Sequence, residues 1–431
     1  MQSTPEGVDI QMQDDNVEGI IESYRWKGME GLYRPAFGRG SIADIPGALL
    51  QSQGINGKKS SPELLRHISE PADHTVFILI DGLGHSTLQY AINSHRVSNL
   101  KGFMEESIYV PATSIFPSTT STATVTLHTG MDPEEHGIIG YIQYLKDVGS
   151  VCNMISLSPL GLRNRSLVDS SKVFSHIHRH GTIHEKMSGE GTDSFLYMPY
   201  NIRNSGLTRI TGKGSVLRPY HSLSHMFTAL KNDILSTGRR SFHFCYISTV
   251  DTISHKIGPY TQETAEDIDS IFYFIRRVLG ENVAGSGTTV TISADHGHTV
   301  VNQNRVDDLS MDRIMKRMMI SPATGDERAP FIRVRETQDG DFLAHIEKRY
   351  PGHIAVSSKQ LMEGGFFGRT SSTGLDPDLF SDYTIIPAQN SGIIDTSLSA
   401  LDPEWSNIDM IGMHGGFSLE EIIVPVITRK F

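Results

Sequence analysis

Cysteine is scarce in this chain: 431 residues hold two, Cys152 and Cys245, far apart and outside any C-x-x-C pattern. That excludes a disulfide scaffold and a cysteine-held zinc site, and it fits an intracellular, cytoplasmic protein. Long apolar runs are also missing. None approaches the ~18 residues that would span a bilayer, so no membrane partner is expected. The N-terminal stretch, MQSTPEGVDIQMQDDN, has neither the basic nor the apolar segment of a signal peptide. No internal repeat or long low-complexity segment is present. Positive charge is in deficit, with 38 Lys and Arg against 49 Asp and Glu for a formal charge of −11. That balance argues against nucleic acid or an anionic membrane as the main partner. A phosphate substrate would be repelled too, unless bound divalent cations reversed the field locally.

What the chain does have is a soluble, globular composition, 38% hydrophobic and 20% charged, over a length that allows two or three domains. Three apolar runs of strand character each end in an aspartate. Thr75–Ile80 leads into Asp81-Gly82-Leu83-Gly84, Phe242–Val250 into Asp251, and Thr288–Ser293 through Ala294 into Asp295-His296-Gly297-His298. Continuous Val/Ile-rich strands separated by helical stretches, here 221–236 and 262–279, predict an α/β fold. Its mostly parallel central sheet would be covered by helices on both faces. Ligands bind outside the carboxyl ends of such strands, so three carboxylates are expected along one edge. A single strand-end Asp is most often a turn residue. Three together, two with a histidine beside them, weigh against that account.

Asp251 and His255 are spaced D-x-x-x-H, which puts both on one side of a helical turn. Asp295 and His296 are adjacent, and His414 sits in the glycine-flanked loop GMHGGF before an apolar strand at 420–428. Together, Asp81, Asp251, His255, Asp295, His296 and His414 offer mixed oxygen and nitrogen donors enough for two divalent metals of zinc type. His298 is either a supporting group for His296 or a solvent-facing residue. The histidines of SHIHRHGTIHEK (His176, His178, His180 and His184) do not match a standard metal spacing and read as a polar, solvated segment. His221 and His225 read as an exposed helix face.

The remaining hydroxyl chemistry lies in FPSTTSTATVTLHTGMDPEEHGIIGY, residues 116–141. Pro-Ser-Thr-Thr is good helix-start chemistry and Gly130 suits the far end. A hydroxyl at that N-terminus is either a plain cap or a group placed where free amides and the helix dipole favour a phosphate. Residues 1–70 read as a lead-in packed on the core, with short helices in GIIESYRW and in IADIPGALLQSQG, the second broken by Pro46. A core of 71–301 and 408–431 is expected, with 302–407 as an inserted, smaller α+β lobe overhanging the site. In that lobe DDLSMDRIMKRMM and FLAHIEKRY read as helices, FIRVRE as a strand and GGFFGRTSSTG as loop. Lys316, Arg317, Arg328, Arg333 and Arg335 either reach an anionic substrate or, for most of them, form a solvated basic face.

The segments VFILIDGLG, FPSTTSTATVTLHTGMDPEEHGI, VDTISH, SADHGH and GMHGGFSLEEIIVP, in that order, resemble the alkaline phosphatase superfamily and, within it, the type I phosphodiesterase/nucleotide pyrophosphatase family. The resemblance implies an alkaline phosphatase-like fold and two metal ions, normally zinc, with manganese or magnesium as alternatives. One ion would be held by Asp251, His255 and His414. The other would be held by Asp81, Asp295, His296 and the nucleophile. The family register, counted ten residues back from Gly130, makes that nucleophile Thr120. It implies cleavage of phosphodiester or nucleotide pyrophosphate bonds through a phospho-threonine, on a small phosphate-ester or nucleotide substrate. The family usually carries a phosphate-contacting asparagine where this chain has Tyr141, which leaves diester or monoester preference open. A phosphomonoesterase or phosphomutase of the same superfamily is the alternative, although such mutases carry serine at the nucleophile position. The Cys/Ser-x-Pro-x-Arg pattern of a sulfatase is absent. A catalytically silent binding module would lack ligands, and none of the six is missing.

Overall fold

The computed structural model describes residues 17–57, 62–94, 97–162, 166–169, 171–369, 377–401 and 409–431. The N-terminal stretch, part of the GGFFGRTSSTG loop and the boundary expected at 407/408 lie outside them.

The central sheet has seven strands, and its middle is made by the three runs that end in aspartate. His74–Ile80 lies between Ser241–Ile247 and Thr288–Ser293, parallel to both. Every residue of these three strands is buried. That is why they are continuously apolar rather than alternating: both faces are covered. Asp193–Pro199 and Val216–Tyr220 extend the sheet in parallel on one side. On the other side Ile423–Lys430 runs antiparallel to Thr288–Ser293 and to Ile108–Thr113. The sheet is therefore mostly parallel with one reversed strand, flanked by helices such as Leu223–Ser236 and Gln262–Phe274.

A second seven-stranded sheet is antiparallel throughout. It is not built from 302–407 alone. Ile142–Leu145, Ser150–Asn153 and Ser158–Pro159, which the sequence reading placed in the core, join it where Ile142 pairs with Gly325. Short strands of this kind carry little local signal for which sheet they enter. The lobe has its own small core of Leu309, Met315, Phe342, Ile346, Tyr350 and Ile385, apart from the main one. Its helices include Arg313–Met318 and Asp339–Arg349, and its strands include Ala329–Ile332.

The lead-in packs on the rest through Trp26, whose ring lies 4.3 Å from Phe366 and 5.1 Å from Phe417. Pro46 does not break its helix. It sits in the first turn of Ile45–Ser52, where its missing N–H has no partner to lose. No helix among the described residues is long and apolar enough to cross a membrane.

Candidate functional site

The parallel register delivers three carboxylates to one edge. Ile80 stands opposite Ile247, so Asp81 leaves the sheet beside the helix Thr249–Lys256, whose first turn carries Asp251. Asp295 follows the neighbouring strand two residues after Ser293. His255, one turn after Asp251, brings its Nε2 to 3.2 Å from Asp251 Oδ1. His414 Nε2 lies 3.9 Å from the same oxygen.

Thr120 opens the helix Thr120–Thr129, which ends at Gly130 in the left-handed conformation with φ 74. Its Oγ1 is 3.1 Å from His296 Nε2 and 3.4 Å from Asp81 Oδ1. His296 Nε2 is 3.4 Å from Asp81 Oδ1 and 3.6 Å from Asp295 Oδ2. No hydroxyl side chain caps this helix, contrary to the capping expectation. Thr119, the residue in the cap position, donates instead to Asp326 Oδ1 at 2.8 Å, and Ser118 donates to Gly416 O at 2.9 Å.

Two overlapping donor groups result. Asp251, His255, His298 and His414 form one, and Asp81, Asp251 and His296 the other, with ligand atoms within 4.8 Å of one another in each. Asp295 stands beside the second, its Oδ1 accepting from the amides of Gly82 and His296. His298 faces neither solvent nor His296 alone. It is fully buried, with Nε2 3.1 Å from Asp251 Oδ1. Gly82 makes room for it: a Cβ there would meet the His298 ring at 2.5 Å.

Four rings are oriented in one way. Nδ1 of His255, His296, His298 and His414 faces the carbonyls of Gly412, Gly297, Gly82 and Ser118 respectively, at 2.7 to 3.4 Å. That arrangement turns each Nε2 lone pair inward, as metal-ligating imidazoles require. The donors fit divalent cations. Two ligand atoms each ~2.0–2.1 Å from a tetrahedral ion stand about 3.3 Å apart, close to the 3.1, 3.2 and 3.4 Å separations here. Asp295 Oδ2 has no hydrogen-bond partner among the described residues, and neither Asp251 Oδ1 nor His298 Nε2 has an aligned one. Buried acceptors aimed at one another are stabilised by a shared proton or by a cation between them.

The electrostatics agree. Burial, then Asp295 and Asp251, raise the Asp81 carboxyl well above the ordinary range. Burial would also raise Asp251, but His255 outweighs it and holds Asp251 well below the usual value. His255 in turn is pushed up to about 9, its own burial being overridden by Asp251. Burial holds His298 at about 4 and His414 lower than usual, the latter helped by the neighbouring imidazoles. Crowded carboxylates beside the imidazoles of His298 and His414, held neutral by burial, form an environment that a cation relieves. Tyr246, missed in the sequence, donates its hydroxyl to Asp81 Oδ2. Nothing local marks it, since it reads as one more apolar strand residue.

Other candidates separate from the site. His184 is not solvated: it is fully buried, its Nε2 3.0 Å from His128 Nδ1 and its Nδ1 2.8 Å from Ser194 Oγ. His221 and His225 are exposed. Lys316, Arg317 and Arg335 are exposed, Arg333 lies over the Tyr144 ring, and Arg328 is buried against Glu421. Tyr141 directs its backbone N–H to Asp326 Oδ2 at 3.3 Å while its side chain packs against Ile142, Leu160 and Leu398.

A search of curated protein sequences finds no match. The fold is similar to that of murine ectonucleotide pyrophosphatase/phosphodiesterase 5, with a TM-score of 0.61 at 15% identity, covering 82% of this chain and 87% of that one. The human counterpart gives the same figures. Phosphonoacetate hydrolase from Sinorhizobium meliloti 1021 is similar at TM-score 0.58 and 17% identity, over 83% of this chain and 89% of that one. The type I phosphodiesterase/nucleotide pyrophosphatase family profile matches residues 75–415. The chain belongs to that family of phosphoric ester hydrolases, in the alkaline phosphatase superfamily.

Proposed function

We propose that the protein hydrolyses small phosphodiesters or nucleotide pyrophosphates through a covalent phospho-threonine on Thr120. The observation that carries this reading is the position of Thr120 Oγ1, 3.1 Å from His296 Nε2 and 3.4 Å from Asp81 Oδ1 at the first residue of a helix. A threonine hydroxyl set among metal-type donors at a helix N-terminus suits attack on phosphorus.

Asp251, His255 and His414 would hold one divalent cation, and Asp81, Asp295, His296 and Thr120 the other. Zinc is the first choice for such a mixed set. When bound, the cations supply Lewis-acid stabilisation of phosphoryl oxygens and lower the pKa of a hydroxyl. The protein's own groups do the rest. Thr120, its hydroxyl directed at Asp81 Oδ1, would release its proton to solvent water and form the Oγ1–P bond in line as the bond to the leaving oxygen breaks, that oxygen taking up a proton from water. The free amides of the first helical turn face the phosphoryl oxygens. Water then attacks phosphorus from the Asp251–His255–His414 side, breaking the Oγ1–P bond and restoring Thr120. His298, against Asp251 Oδ1, holds that carboxylate in place. Tyr141 stands at the position where the family usually carries asparagine, with its amide on Asp326 and its side chain packed away on Ile142, Leu160 and Leu398.

An inactive variant of the murine neighbour is described in complex with AMP, and the phosphonoacetate hydrolase in complexes with phosphonoformate and phosphonoacetate. Those ligands support a small phosphate-bearing substrate here. A cytoplasmic setting belongs to the same reading, supported by two buried free cysteines, Cys152 and Cys245. The test compares wild type and Thr120→Ala on aryl phosphodiester and monoester substrates, with metal analysis. We expect loss of roughly a thousandfold or more in turnover and of the phosphoryl adduct seen in acid-quenched intact-mass spectra. Near-wild-type turnover in Thr120→Ala, or inversion at a chiral labelled phosphorus, would overturn the mechanism. Active protein with far fewer than two metal equivalents would overturn the binuclear assignment.

A further inference from the structure

The hairpin formed by Thr324–Asp326 and Ala329–Ile332 carries Asp326 from the second sheet to the residue before Thr120, with Glu327 next to it in the turn. Asp326 is buried. Its Oδ1 accepts from Thr119, the residue before Thr120, at 2.8 Å, and its Oδ2 from the Tyr141 amide at 3.3 Å. A side chain at Gly415 would meet the Asp326 Cβ at 2.9 Å. The carboxyl is thus wedged between the nucleophile turn, Tyr141 and the loop that carries His414. Glu327 follows it, half-buried, and burial raises its carboxyl above the usual value. Burial and then Glu327 push Asp326 up to about 7, against the hydrogen bonds from Thr119 and Tyr141.

Among the described residues no Lys or Arg forms an ion pair with either acid. The adjacent Arg328 is committed to Glu421 and to the carbonyls of Ala388 and Ser391. The Thr119 hydroxyl and the Tyr141 amide are also spent on Asp326 rather than offered to a phosphoryl oxygen. Above neutral pH, where Asp326 is ionised, its charge in a buried wall acts through a lower dielectric than water and opposes a like charge placed nearby.

Resting on the hydrolase reading above, we propose that Asp326 and Glu327 select substrate charge. They disfavour the second negative charge of a phosphomonoester, so that the site favours singly charged phosphodiesters over monoesters. This is discrimination by repulsion from a wall, separate from the attraction supplied on the metal side.

The experiment measures kcat/KM at about pH 8.5, above the value to which Asp326 is pushed, for methyl p-nitrophenyl phosphate and for p-nitrophenyl phosphate, which share a leaving group and differ by one charge. The proteins are metal-loaded wild type, Asp326→Asn, Glu327→Gln and the double variant. Asparagine at 326 can still accept from Tyr141 and donate to Thr119, and Glu327→Gln, on the turn, keeps the test open if Asp326→Asn folds poorly. The diester-to-monoester ratio should fall at least about tenfold in the double variant, chiefly because monoester kcat/KM rises. A ratio within about twofold of wild type, or an equal fall for both substrates, would overturn the proposal. If wild type cleaves neither substrate, or Thr120→Ala cleaves both as fast as wild type, it is the hydrolase reading that fails instead.

Discussion

Arg328 and Glu421 form a buried two-point ion pair between the lobes, with Nε to Oε1 at 3.1 Å and Nη2 to Oε2 at 3.0 Å. The same carboxylate accepts from the amides of Gly416 at 2.9 Å and Ser418 at 3.3 Å, so it also fixes the loop that follows His414. Glu421→Gln leaves a buried guanidinium uncompensated and should cost roughly 3–5 kcal/mol in chemical denaturation. The double variant Arg328→Met/Glu421→Leu should recover part of that loss. An equally large loss in the double would show that packing, not charge, is the source.

Tyr246 donates to Asp81 Oδ2 from within the sheet. Burial and Asp81 raise its own pKa, so the hydroxyl stays protonated as a donor across the working pH range. Removing the donor in Tyr246→Phe should weaken metal affinity by about 10–100-fold, read by chelator competition. Unchanged affinity would mean that Asp81 is held without it.

The His128–His184 pair sets an acid limit on stability. Burial holds His184 at about 3 and His128 well below its usual value, so both are neutral in the folded state. The unfolded histidines protonate near 6.5, so stability from this pair is complete above that pH. It drains away as pH falls toward 3, by at most about 1.4 kcal/mol per pH unit per histidine. Urea midpoints measured from pH 7 to 4 should decline less steeply in His184→Asn. Parallel declines would assign the acid sensitivity to other groups.

Gly297 lets two backbones meet at the site. A Cβ there would lie 2.1 Å from Glu420 O and 2.7 Å from Gly84 Cα, neither of which is a flexible side-chain end. Gly297→Ala should therefore displace the His296–His298 segment, lowering both the thermal midpoint and metal content. Metal binding as tight as wild type would show that the segment moves without harm.

Much of the architecture was legible from short stretches of chain. The three apolar runs ending in Asp81, Asp251 and Asp295 announced a parallel sheet with acids on one edge, because a strand buried on both faces is continuously apolar. The D-x-x-x-H spacing of Asp251 and His255 needs only one helical turn. These are local properties, so the order of residues alone determines them.

Other features depend on partners far away in the chain. Thr119 looks like a helix cap, yet it bonds to Asp326, 207 positions later. His184 looks solvated, yet its ring lies against His128 inside the core. His298 could face any direction until Gly82 and Asp251 close around it, and Arg328 looks like a free cation until Glu421 takes it up. The strands at 142–159 carry no mark of the sheet they join. Whether a polar side chain is exposed or buried, and which group satisfies it, follows from the packing of distant segments, and here only the tertiary structure decided it.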